Sequence, residues 1–309
     1  MKLTTTFMAA TALSLLAFTA AQAQEVKRLG LAVTNLQADY FNQIKIGVEQ
    51  YASELGIEVI TVDAKNDSAT QVSQVQDLLS QGIDALIYLP AGAAAAAVPA
   101  RLAKAESIPV VNVDRNAEGE PGDTFIATDN AASAYDVCDH IIGLAGGQGK
   151  MIMIHGQKGT TPEVERTKGC MKAIEENPDV ELVAQQWSQQ WSQAEGLDIT
   201  QNLMQAHPEV SIIFGQADGL AMGAAQAVKV SGVDQRVYIG GFDGDTTALP
   251  VLAEGGFDAT ATQQVRGIGR LAVDSAIKLA AGEELPAEQL LPGFLTTPEN
   301  APEYVAEHP

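Results

Sequence analysis

Basic residues are scarce in this chain: 18 lysines and arginines stand against 39 aspartates and glutamates, a formal net charge of −21 over 309 residues. A surface that grips nucleic acid needs a stripe of cations, and none is present, so nucleic acid is excluded as a partner. Cysteine is nearly absent. Cys138 and Cys170 are the only two, too few for a tetrahedral zinc site, and they form either a disulfide in an oxidising compartment or two buried thiols. The histidines, His140, His155, His207 and His308, follow no ligand spacing, so no metal centre is expected. Asp63, Lys65 and Asp67 echo a calcium loop, but Gln74 stands where the bidentate acid is needed, and the segment reads as an ordinary strand-to-helix turn. Glycine-rich stretches such as 143–149 lack the G-x-G-x-x-G spacing after a strand, which argues against a dinucleotide, and no other cofactor is expected.

Long apolar runs are missing too, except at the start. After Met1 and Lys2 the chain is apolar through Phe18, and Ala21-Gln22-Ala23 supplies the small residues of a secretory cleavage site. Residues 1–23 are therefore expected to be a signal peptide, with Gln24 the first mature residue and no cysteine at the cut to carry a lipid. No later stretch reaches the roughly 18 apolar residues of a spanning helix. The expected location is a bacterial periplasm, with the mature protein a monomer.

What is present is an alternation. Short apolar runs at 29–33, 58–62, 85–89, 110–113, 151–154, 181–185, 211–214, 237–240 and 259–262 read as strands, separated by helical patterns of about four turns. Ile44, Val48, Tyr51, Ala52 and Leu55 share one helical face, and Val72, Val75 and Leu79 another. Nearly unbroken apolar strands joined by crossover helices imply parallel sheets covered on both faces, an α/β, doubly wound fold. The strands are too many for one comfortable sheet. The segment 125–130 reads as an extended connector, and two Rossmann-like lobes are expected.

In such sheets a ligand binds beyond the carboxyl ends of the strands. Thr34 follows the first strand, Asp114 and Arg115 the fourth, Trp187 the strand around Leu182, Asp218 the strand ending at Phe214, and Asp243 the strand ending at Gly240. Asp39, Tyr40 and Phe41 open the first helix, and Arg166 sits early in the helix after residues 151–154. Tyr40, Phe41, Trp187 and Trp191 can cover the C–H faces of a sugar ring, while Asp114, Arg115, Arg166 and Asp243 offer planar groups that pair with adjacent hydroxyls. Two carboxylates and two guanidiniums balance, which favours a small neutral sugar or polyol over an anion; Asp39, Glu163 and Asp218 bear on that balance. Asp218 equally suits a helix N-terminus.

These residues resemble the ribose-binding-protein group of periplasmic sugar-binding proteins, the type I fold that serves ABC importers. The resemblance runs from about Arg28 to Leu295. It rests on Val113-Asp114-Arg115-Asn116, Gly159-Thr160-Thr161-Pro162-Glu163-Val164-Glu165-Arg166, Gln201-Asn202-Leu203, Met222-Gly223-Ala224 and Gly241-Phe242-Asp243-Gly244. It implies two lobes, residues 24–127 with 264–293 and residues 128–263 with 294–309, joined by a three-crossing hinge near Ala127, Gln263 and Phe294. It also implies ligand contacts from Thr34, Tyr40, Phe41, Asp114, Arg115, Arg166, Trp191, Asp243 and Gln263, and a membrane permease as partner. Of the two tryptophans, Trp191 is expected to face the ligand. Two positions depart from the group: Ala38 and Ala217 stand where ribose binders carry asparagine, each deleting an amide that would bond a hydroxyl, which points to a different monosaccharide or a cyclic polyol.

Two other readings compete. A periplasmic receptor for chemotaxis or a sensor kinase would use the same lobes. A secreted glycosidase could pair Asp114, Asp243 and Glu163, but the neighbouring arginines are expected to hold those acids ionised, whereas a general acid needs a raised pKa, so no enzyme is expected.

Overall fold

The computed structural model describes residues 26–93, 95–117 and 119–306, so the expected signal peptide over 1–23 lies outside the described residues. No helix among them is long and apolar enough to cross a membrane.

The first lobe alternates β1 (Arg28–Val33), α1 (Asp39–Glu54), β2 (Glu58–Asp63), α2 (Ser68–Ser80), β3 (Ala85–Tyr88), α3 (Ala97–Ala105) and β4 (Val110–Val113), then adds β5 (Thr124–Thr128). The chain crosses to a second lobe of α4 (Asn130–Leu144), β6 (Gln148–His155), α5 (Thr161–Glu176), β7 (Asp179–Trp187), α6 (Gln193–Ala206), β8 (Val210–Gly215), α7 (Asp218–Ser231), β9 (Tyr238–Gly240), α8 (Ala248–Ala253) and β10 (Thr260–Thr262). It returns for α9 (Val265–Ala280) and β11 (Glu288–Leu291), then crosses a third time into β12 (Phe294–Thr296) and α10 (Ala301–Ala306).

The first sheet is ordered β11-β5-β4-β3-β1-β2 and is parallel throughout. The second is ordered β7-β6-β8-β9, also parallel, and single bridges from Gly240 to Ala259 and from Asp243 to Thr262 carry it on to β10. There β12 pairs antiparallel with β10, the one exception to the parallel pattern among the described strands. Each sheet is covered on both faces, as its apolar strands require. Ile44, Val48 and Ala52 of α1 and Ile268, Ala272 and Val273 of α9 close one side of the first sheet; Val75 and Leu78 of α2 with Ala100 and Ala103 of α3 close the other. Fully burying each Ile, Val or Leu is worth about 1.5–3 kcal/mol. Leu55, expected on the buried face of α1, is instead 48% exposed because the helix ends at Glu54 and the chain turns away.

The expected connector at 125–130 is a correction. It is β5, a full sheet member whose outer hydrogen bonds are taken by β11, a strand far along the chain that has only two leucines to announce it. The turn expected at 63–67 forms: Lys65 and Asn66 take positive φ, and the Asp67 carboxylate accepts from the Thr70 amide at the start of α2. Cys138 and Cys170 are joined as a disulfide between α4 and α5, with Cα atoms 5.3 Å apart.

Candidate functional site

The lobes face each other across a cleft of about 570 Å³ at the carboxyl ends of both sheets, within the size range of small-molecule sites. From the first lobe come Asp39, Tyr40 and Phe41 ahead of or on α1, Asn66 ahead of α2, and Asp114 and Arg115 after β4. From the second come Arg166 on α5, Trp191 ahead of α6, Met222 on α7, and Asp243 and Asp245 after β9. Of the expected residues, Asp39, Tyr40, Phe41, Asp114, Arg115, Arg166, Trp191 and Asp243 thus line one cavity.

Four others do not. Thr34 is wholly buried and donates to the Leu89 and Pro90 carbonyls, so it braces the β1 end from beneath. Gln263 sits at the second crossing, accepting from the Thr128 hydroxyl at 2.6 Å and donating to Asp243 Oδ1 at 2.8 Å. Asp218 is buried behind the wall, where it accepts from the Thr260 hydroxyl and the Asp245 amide. Trp187 is packed away from the cleft: its ring stacks on His155 with centroids 4.5 Å apart, and its Nε1 donates to Glu163 at 3.0 Å.

Two ion pairs dominate the interior. Arg115 Nε lies 3.3 Å from Asp114 Oδ2, and Arg166 Nη1 lies 3.2 Å from Asp243 Oδ1. Arg166 is held further by Asn130 Oδ1 at 2.7 Å and the Gln216 carbonyl at 2.6 Å, and its guanidinium stacks on Phe242 at 3.7 Å. Three acceptors and one ring face thus fix a planar fork that has little freedom left to lose on binding. Aromatic rings flank the pairs: Tyr40 and Phe41 meet edge to face, and Phe41 and Trp191 both lie within 6.0 Å of a guanidinium. The Tyr40 hydroxyl faces Asp114 without a hydrogen bond of normal geometry, and Trp191 Nε1 is buried with no partner.

The backbone is strained where these side chains are aimed. Asp114, Trp191 and Asp243 have φ of 65°, 59° and 127°, a region that costs non-glycine residues about 1–3 kcal/mol each and that clusters at functional sites. Trp191 can fold into the cleft because Gly156, just after β6, has no side chain; a Cβ there would lie 1.8 Å from the indole.

Burial governs the acids. Asp114 is raised by its removal from water although Arg115 and Arg166 oppose this. Asp243 is pushed up to about 7, by burial first and then by Asp218 and Asp114, with Arg166 pulling the other way. Asp245 is raised well above the carboxylate range by burial and by Asp243, Asp218 and Asp39. The expectation that arginines would keep Asp114 and Asp243 at ordinary carboxylate pKa values is therefore corrected: two guanidiniums shared among this many buried acids do not offset desolvation.

Asn66, Asp245 and Thr247 also line the cleft and were not singled out by sequence reasoning; Met222, quoted there only as part of the resemblance, lines it too. Asp245 had a signal, standing two residues beyond Asp243 in the same strand-end loop. Ala38 and Ala217, the two departures from the asparagine pattern, both line the cavity and are the N-caps of α1 and α7, neither with a side-chain cap.

Comparisons with known proteins converge on one family. A sequence profile described as the periplasmic binding protein domain matches residues 29–284. The ribose import binding protein of Bacillus subtilis is 34% identical over 83% of this chain and 83% of its own length. That of Haemophilus influenzae is 32% identical over 93% and 97%. Among solved structures, an ABC transporter solute binding protein from Bacillus halodurans with bound myo-inositol superposes with a TM-score of 0.85 at 26% identity, covering 93% of this chain and all of that one.

Proposed function

The chain belongs to the periplasmic binding protein family, and from that premise we propose that it captures a monosaccharide or cyclic polyol between its lobes and delivers it, from the periplasm, to the permease of an ABC importer. The observation that carries the reading is the composition of one cleft: Arg115 with Asp114 on one lobe and Arg166 with Asp243 on the other, between the rings of Phe41 and Trp191. A sugar ring presents apolar C–H faces to aromatic plates and a rim of hydroxyls that donate to carboxylates and accept from guanidiniums. Each lobe supplies half of these partners, so a bridging guest binds the closed arrangement more tightly than the open one and shifts the population toward it. Residues 24–127 with 264–293 and residues 128–263 with 294–309 act as the two rigid halves, hinged at the three crossings.

Catalysis has little support in this geometry. Asp243 has the raised pKa of a general acid, but its carboxylate is engaged by Arg166 and by the Gln263 amide, which fixes it as an acceptor for a hydroxyl rather than a proton shuttle.

A thermal-shift screen of monosaccharides, polyols and sugar acids against the protein tests the proposal, since a ligand confined to the native closed state raises the melting temperature by mass action. A sugar or polyol is expected to give the largest shift, and Arg166→Ala to lose it, because leaving a buried partner unpaired costs about 2–5 kcal/mol of binding. If the variant responds as well as the parent, the cleft is not the site; if the guest is recovered chemically altered, the protein is an enzyme.

A further inference from the structure

Behind the second-lobe ion pair, hydrogen bonds close into a ring that reaches the hinge. Thr128 ends β5 in the first lobe and Asn130 opens α4 in the second, so the two stand on either side of the first crossing. The Asn130 side chain is not needed to start its helix, because the Asp129 carboxylate already accepts from the Ala132 amide. Both of its polar atoms are spent elsewhere: Nδ2 donates to the Thr128 carbonyl at 3.0 Å, and Oδ1 accepts from Arg166 Nε at 2.7 Å. Arg166 Nη1 donates in turn to Asp243 Oδ1 at 3.2 Å, the oxygen that also accepts from Gln263 Nε2 at 2.8 Å. Gln263 Oε1 accepts from the Thr128 hydroxyl at 2.6 Å, which brings the path back to its start. Thr128, Asn130 and Gln263 are at most 4% exposed, and none of them lines the cleft. The third crossing presses on the same point. The Asp129 amide donates to the Leu291 carbonyl at 2.8 Å, and a Cβ on Gly293 would lie 3.3 Å from the Thr128 methyl carbon.

In a dry interior each member of such a circuit holds its neighbours, and removing one leaves a buried group unpaired. Of the five side chains, only Arg166 and Asp243 line the cleft. We propose that Thr128 and Asn130 are positioning residues for guest binding: without touching the guest, they fix the Arg166 fork and, through Gln263, the Asp243 carboxylate to the hinge crossings. The clamp is aimed only while the crossings keep these bonds. The assignment rests on the sugar-binding reading above and deepens it. A role confined to holding the hinge together would show in the stability of the unliganded protein and leave affinity alone.

Calorimetric titration tests this with D-ribose, D-allose, myo-inositol and any stronger binder from the thermal-shift screen, read for the compound the parent binds most tightly. Thr128→Val keeps the side chain's shape and deletes its hydroxyl, and is expected to bind about 3- to 10-fold more weakly, the effect of one hydrogen bond relayed to the site. Thr128→Ser restores the donor and should bind like the parent. Asn130→Ala should weaken binding by a similar factor to Thr128→Val. Because the bonds act as one circuit, the double variant should lose less than the product of the two single losses. Affinity unchanged in both single variants, with circular dichroism showing the fold kept, overturns the inference; so does Thr128→Ser binding as poorly as Thr128→Val, or losses that multiply in full. Should Asn130→Ala not fold, the Thr128 pair decides alone. Each of these outcomes leaves sugar binding intact, since the loss expected of Arg166→Ala does not depend on them. If no sugar or polyol binds the parent, the sugar-binding reading falls and takes this inference with it.

Discussion

Asp243 shows how a single side chain reports the electrostatics of the cleft. Its pKa is pushed up from the ordinary carboxylate range to about 7, so between about pH 4 and pH 7 the folded protein holds a proton that the unfolded chain has released. The contribution of Asp243 to stability therefore falls as pH rises through that window and levels off above it. Asp114, Asp218 and Asp245 are raised in the same sense, with burial the largest cause for each. Asp243→Asn is expected to flatten the decline of melting temperature with pH relative to the parent, read by calorimetry across that range; an unchanged slope would show that Asp243 does not titrate there. At this scale the strand-end rule found Asp114, Arg115 and Asp243 because parallel strands deliver their carboxyl ends to one edge. It could not tell lining residues from those one layer back. Thr34, Gln263 and Asp218 sit at the same strand ends, and only the path of the neighbouring loops buries them.

Among the elements, the helices carry the plainest trade. α6 begins with Ser192 and Glu195, three residues apart, in a reciprocal cap. α1 and α7 begin with Ala38 and Ala217, which cap nothing. Restoring asparagine at either position should stabilise the protein by about 1 kcal/mol, the usual worth of an N-cap, while filling part of the cavity. Ala217→Asn is thus expected to melt higher without ligand and to bind the parent's ligand more weakly, measured by denaturation and titration on the same sample. Gly156→Ala should do the reverse of a filler: it drives the Trp191 ring out of place and weakens binding, with the fold of the lobe kept, as far-ultraviolet circular dichroism would show. The disulfide ties α4 to α5 across 32 residues of chain, and replacing both cysteines by alanine should cost about 2–4 kcal/mol in a denaturant titration. β11 escaped sequence reading because it is an edge strand held by β5 alone, and a partner separated by so much chain leaves no local periodicity to find.

Across the whole molecule, the two lobes touch through protein atoms alone at several points. Asp39 meets Thr246, Asn66 Nδ2 donates to Gln190 Oε1 at 2.8 Å, Arg115 Nη1 donates to Gln157 Oε1 at 3.2 Å, and the Asn116 amide donates to Thr161 Oγ1 at 3.0 Å. Each such bond is worth about 0.5–1.5 kcal/mol net, so together they lean the hinge toward closure before any guest contributes. Removing two of them, as in Asn66→Ala with Thr161→Val, should enlarge the radius of gyration of the unliganded protein in small-angle scattering and lower its ligand affinity; identical scattering would show that these bonds do not bias the hinge. The two-lobe plan was readable from the count and spacing of apolar runs, whereas this latch was not, since it pairs ordinary polar residues whose meeting depends on the lobes' relative pose. The latch also sets a limit on how faithfully the receptor reports its cargo. A permease that recognises the shut shape cannot see inside it, and every bond the halves make on their own account raises the share of deliveries that arrive with nothing aboard.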